Sequence, residues 1–204
     1  MSLDTIDHCG GRAAMSPRST GQSVQALGCL ETRSVALGVE AADAMAKSAE
    51  ISLLVASTAC PGKFLIVFCG SVAATRSAMQ VGVELAGDAM SDQMMLPSVH
   101  PQVIPAISAM SAIERIEAIG IIETFTMASG IRAADQAVKT AKVDLIEVRL
   151  GRALAGKSFV SLTGHVSAVR QAVAAGVKAL SDEAMLLATT VIPSPHPELV
   201  EKLL

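Results

Sequence analysis

From Ala26 onward the chain alternates short apolar runs with longer stretches whose apolar positions return every three or four residues. "ALGCLE" (Ala26 to Glu31) reads as a buried strand, and a helix is predicted from about Val35 to Ala46. "ISLLVAS" and "FLIVF" are two further strands joined across the turn "TACPGK". Gly70 interrupts the pattern, and a second amphipathic helix is predicted from about Val72 to Leu85. A last strand, "QMMLPS", leads to a proline-rich corner and a short helix. Strands alternating with helices, with a hairpin among them, predict an α/β sandwich whose sheet is covered on one face.

The whole pattern then runs a second time. "ALGCLETRSVALGVEAADAMAKSA" begins at Ala26, and "AIGIIETFTMASGIRAADQAVKTA" begins at Ala118. Gly28, Glu31, Thr32, Gly38, Asp43 and Lys47 recur as Gly120, Glu123, Thr124, Gly130, Asp135 and Lys139. After a two-residue insertion in the second turn, "GRALAGK", Lys63 and Gly70 recur as Lys157 and Gly164. "VHP" at Val99 answers "PHP" at Pro195. Two copies of one unit imply pseudo-symmetry between halves. The predicted layout is a flexible tail over 1–24, a domain over 25–107, a linker over 108–117 and a second domain over 118–204.

Composition narrows the class. The 204 residues are 51% hydrophobic and 17% charged, with no Trp, no Tyr and four Phe. No apolar run approaches the roughly 20 residues of a membrane span. The excess is largely small side chains, which points to surface buried between chains and a homo-oligomer. A net charge of −3 with no basic cluster argues against nucleic acid. The chain shows no secretory leader pattern, and its four cysteines make no CxxC pair, so a cytoplasmic chain with reduced thiols is expected. No nucleophile–base pair, phosphate loop or acid pair stands out, so neither an enzyme nor a metabolite-binding regulator is expected.

The repeated "ETxxxxxGxxAAD" openings, the "PGKF" hairpin and the "VIPSPHP" ending resemble bacterial microcompartment shell proteins. Two copies in one chain resemble the tandem-domain trimeric class, and "TACPGKF" with "HPQVIPAISAM" its PduT-like subgroup. The resemblance implies two tandem ferredoxin-like domains. It implies a homotrimer with six domains around its axis, a flat pseudohexameric tile in a microcompartment shell beside other shell proteins. The hairpins would then line a central pore with Thr58, Ala59, Cys60, Pro61 and Gly62 from one copy, and Gly151, Arg152, Ala153 and Leu154 from the other.

In that subgroup the first-copy turn cysteine resembles an iron–sulfur ligand, which implies a 4Fe–4S cluster and electron transfer across the shell to a redox enzyme inside. One turn thiol per chain cannot hold a cluster; three Cys60 thiolates around a three-fold axis match the three-fold axis of a cubane. The Pro61–Gly62 turn stiffens one side and removes bulk on the other, and Lys63 supplies a nearby charge. The plainer reading is a small thiol in a purely structural or metabolite-passing pore. Arg152 aligns with Cys60 in the second copy; it either attracts anions to the pore, interacts with an anionic cluster, or points to solvent. Cys29 and Cys69 lie in strands as core residues, and Cys9 has no assigned role.

Lys47 and Lys139 close equivalent helices, where a cation is favourable by itself. By resemblance they lie along tile edges, each needing a neighbouring carbonyl or carboxylate. Family members often carry arginine in the corner motif, but this chain has Ser98 and Ser194, which implies weaker or different tiling. His100 and His196 read as corner caps rather than metal ligands, and Asp43 and Asp135 as solvated or inter-subunit residues.

Overall fold

The computed structural model describes residues 26–151, 154–180 and 183–203. The expected tail, with Cys9, lies outside them. The first copy contains β1 (Ala26–Thr32), α1 (Val35–Ser48), β2 (Ile51–Ala59), β3 (Lys63–Gly70), α2 (Val72–Ala86), β4 (Met90–Leu96) and the short α3 (Val103–Ile107). The second repeats it as β5 (Ala118–Thr124), α4 (Met127–Thr140), β6 (Asp144–Leu150), β7 (Ser158–Gly164), α5 (Val166–Lys178), β8 (Leu186–Ile192) and α6 (Pro197–Leu203). Each copy makes one antiparallel sheet, ordered β2-β3-β1-β4 and β6-β7-β5-β8. β3 pairs between β1 and β2, and β7 between β5 and β6, which is the split βαβ arrangement of ferredoxin-like domains.

Local chemistry sets the helix ends. The Ser34 hydroxyl accepts the Leu37 N–H at the start of α1, and Thr126 accepts the Ser129 N–H at the start of α4. Lys47 and Lys139 sit in the last turns, complementing the helix dipoles. The first sheet packs one face on α1 and α2 through Leu30, Met45, Phe64, Ile66 and Phe68. Gly28 permits that packing: a Cβ there would lie 2.3 Å from the Phe68 ring. Any side chain would push the ring off the strand.

The expectation of one covered face is corrected for the first sheet. Its other face, with Leu27, Cys29, Leu65, Val67 and Met94, joins a single core that runs through Met127, Ala128 and Ile131 of α4 into the second domain. Helix α4 therefore packs against its own sheet and against β1 and β4 of the first domain. Among the described residues the corresponding face of the second sheet has no such cover: Ile121 and Phe159 are half-buried, and Thr190 is exposed where Met94 is buried. Helix α3 follows β4 in sequence but packs on β6 at the edge of the second sheet. The corner after β4 thus acts as a clasp thrown by the first domain over the second.

Candidate functional site

The β2–β3 hairpin closes on the Ala59–Lys63 rung and leaves Cys60, Pro61 and Gly62 exposed at its tip. Gly62 has φ +71°, a left-handed conformation that glycine adopts without steric cost. In the second hairpin the Gly151 N–H donates to the Lys157 carbonyl at 2.9 Å, and the Lys157 N–H to the Leu154 carbonyl at 3.1 Å. The two turns lie side by side. A Cβ on Gly156 would stand 2.8 Å from the Cys60 carbonyl oxygen, and one on Gly151 would stand 2.8 Å from the Ala59 Cβ. Of the expected pore residues, Thr58 is exposed, Ala59 and Gly151 are buried in this contact, and Leu154 is half-buried. Arg152 and Ala153 lie outside the described residues.

Lys63, expected as the charge beside Cys60, is paired with a carboxylate of β1. Its Nζ pairs with Glu31 Oε2 at 3.2 Å. The Glu31 side chain is fully buried, and its other oxygen accepts the Ala128 N–H at 2.9 Å. A carboxylate of the first domain thus caps the N-terminus of α4 in the second, where the dipole favours negative charge. Burial pushes the Glu31 carboxyl above its usual range; the Ala128 N–H and Lys63 pull it back, and Asp92 pushes it up. Sequence reading had marked Glu31 only as a repeated residue. That repetition was the available signal, since Glu123 holds the same place and pairs with Lys157 at 3.3 Å in a more open setting.

The clasp supplies further polar contacts between the domains. The His100 N–H donates to Asp135 Oδ1 at 2.8 Å, and Lys139 reaches Asp135 at 2.5 Å and the Ser98 carbonyl. Lys139 therefore has its carbonyl and its carboxylate inside its own chain. Lys47 and Asp43, the first-domain counterparts, pair with each other at 2.6 Å in solvent. Both corner histidines accept at Nδ1 from the N–H two residues on, each at 3.3 Å. Cys29 and Cys69 are buried, and burial pushes both thiols up, Cys29 well above the usual range with help from Glu31 and Asp92. Among the described residues of one chain, no group of three or more His, Cys, Asp or Glu side chains could hold a metal ion. No helix among them is long and apolar enough to cross a membrane.

Two copies of one four-stranded α/β unit, docked through a shared helix with their hairpin turns adjacent, define a tandem-domain building block. The BMC domain model matches residues 26–99 and 118–195, and the chain belongs to the BMC-domain family of bacterial microcompartment shell proteins. It is 43% identical over 172 residues to the bacterial microcompartment shell protein PduT of Citrobacter freundii, covering 84% of this chain and 94% of that protein. A crystal structure of a microcompartment protein from Desulfitobacterium hafniense DCB superposes with a TM-score of 0.82 at 49% identity, covering 88% of this chain and 99% of the other. The shell protein PduA of Citrobacter freundii is 39% identical over 89 residues, which is 43% of this chain and 91% of PduA, so one repeat here has the span of a whole relative.

Proposed function

We propose that the chain is a non-enzymatic structural tile of a bacterial microcompartment shell, closed as a homotrimer around a central pore, with three Cys60 thiols holding a 4Fe–4S cluster there. The adjacency of the two hairpin turns carries this reading, because it sets the exposed Cys60 tip beside the second turn as in one third of a ring. The trimer is supported by surface the single chain leaves unused. Helix α1 exposes Val35, Leu37 and Val39, and the second sheet leaves bare the face that α4 covers on the first. Each domain pair joins unlike surfaces, so the same contact repeated between chains generates a ring. Other shell proteins would meet this tile at its outer edges, where Lys47 is exposed.

The donor set fits a cluster only in the assembly. One chain offers one exposed turn thiol, and three chains offer three, leaving one iron of a cubane without a cysteine. Such a cluster supplies one-electron transfer, here across the shell to a redox enzyme within. Anaerobic purification tests it. The wild type should be brown, absorb near about 400 nm and carry about four irons and four sulfides per three chains, whereas Cys60→Ser should be colourless and still trimeric. A colourless wild-type trimer, unaffected by Cys60→Ser, would instead support a metabolite pore without a cluster.

A further inference from the structure

The two clasps carry different residues, and so do the edges they fit. Inside the chain, Gln102 uses both ends of its amide on the β6 edge. Its Nε2 donates to Asp144 Oδ1 at 3.0 Å, and its Oε1 accepts the Leu145 N–H at 2.9 Å. Beside it Val103 has no accessible surface and Leu145 is 1% exposed. In the other repeat Glu198 replaces Gln102, Leu199 replaces Val103, and the β2 edge offers Ser52 and Leu53 for Asp144 and Leu145. The corner folds the same way, with His196 Nδ1 accepting the Glu198 N–H as His100 accepts that of Gln102. The edge keeps its register too: Leu53 faces Phe68 as Leu145 faces Leu162, and a register shift follows each. Yet Leu199 is 42% and Leu53 39% exposed.

The polar exchange is matched on both sides. An amide that donates to a carboxylate has become a carboxylate that faces a hydroxyl donor. Made together, the two changes keep the hydrogen bonding; Glu198 against Asp144 would instead bring two carboxylates into contact, which repels. Resting on the trimeric reading above, we infer that Glu198 and Leu199 dock on the Ser52–Leu53 edge of a second copy of this chain, the carboxylate accepting the Ser52 hydroxyl and the Leu53 N–H. Asp43 of that second copy, paired in solvent with Lys47 in the single chain, then accepts the His196 N–H of the docking copy, as Asp135 accepts the His100 N–H within the chain. The pairing also sorts the clasps: Glu198 is accepted by the Ser52 edge and rejected by the Asp144 edge, so first and second domains alternate around the ring.

Transplanting the internal pair tests this. Mass is measured by light scattering and single-particle photometry from micromolar to low-nanomolar chain, with subunit exchange between tagged and untagged copies as a second readout. Ser52→Asp should raise the dissociation concentration, or speed exchange, by about tenfold or more. Adding Glu198→Gln should restore it, because an amide then faces a carboxylate across the interface, as Gln102 faces Asp144 within the chain. Both positions are exposed in one chain, so folding by circular dichroism should be unchanged. A trimeric wild type that Ser52→Asp leaves undisturbed, or that Glu198→Gln fails to rescue, removes the docking pair while leaving the trimer. A wild type that is monomeric throughout removes both.

Discussion

Helices α1 and α4 hold the same place in their domains, start from equivalent hydroxyl caps and end on equivalent lysines. Yet Ile131 of α4 is 0% exposed and its counterpart Val39 of α1 is 52% exposed. The difference lies outside either domain. Helix α4 is pressed between two sheets, and α1 between one sheet and solvent. Apolar side chains nonetheless persist on the bare side of α1. A contiguous apolar surface of that kind marks an interaction site, and the chain's own interior displays the partner that fits it.

The sharpest break of this comparison is a charge placed at each equivalent position. Ile131→Asp buries an unpaired carboxylate between two sheets and should cost more than about 4 kcal/mol, leaving the chain unfolded or insoluble. Val39→Asp should change the stability of the single chain by less than about 1 kcal/mol while releasing folded monomers from the proposed trimer. Thermal melts, together with mass over a range of concentrations, separate the two outcomes. A Val39→Asp protein that remains trimeric would show that α1 stays solvent-facing in the assembly, and the internal interface would lose its value as a template.

A second contrast sets Glu31 against Glu123. Glu31→Ala strands a buried Ala128 N–H and the Lys63 ammonium, so it should destabilise the chain by about 2 kcal/mol. In the dissociated chain, Glu123→Ala removes only the partly exposed contact with Lys157 and should cost less than about 1 kcal/mol. Urea unfolding at low protein concentration measures both. Equal losses would mean that Glu31 contributes no more than a surface pair.

Much of the fold was legible because the repeat reads each signal twice. The helices predicted from about Val35 and about Val72 start where α1 and α2 start and end within two residues of them, and the strands agree to within a few residues. β4 starts earlier than predicted, at Met90, because Thr32 of β1 pairs with it there although "MSD" lacks an apolar run. The turn cysteine was legible from Pro61 and Gly62, and its exposed tip is where the structure places it. Three things were not legible. A local pattern cannot show that α3 crosses to the other domain's β6 edge, nor that the first sheet is covered on both faces, since long-range docking determines both. Nor could it show that Lys63 pairs with Glu31: in sequence the lysine is close to the thiol, but it stands two residues from Leu65, which faces Glu31 across the β1–β3 ladder.

The smallest expected effect is a pH slope carried by Glu31 alone. Burial raises its carboxyl above the unfolded value, with Asp92 adding to the rise and the Ala128 N–H and Lys63 opposing it. The folded chain therefore holds the proton more tightly than the unfolded chain. The resulting stabilisation is fully present below the ordinary glutamate range, about pH 4.3, and is lost as pH rises through the folded value. Glu31→Gln keeps an oxygen for the Ala128 N–H and removes the titration. Subtracting its unfolding free energy from that of the wild type at each pH cancels whatever the two proteins share. The difference should fall as pH rises from about 4 toward neutrality and then level off, and Asp92→Asn in both backgrounds should shallow it. A difference that climbs with pH would mean that Lys63 and the start of α4 outweigh burial at this carboxylate. The cap between the domains would then be an ion pair stabilised by its charge.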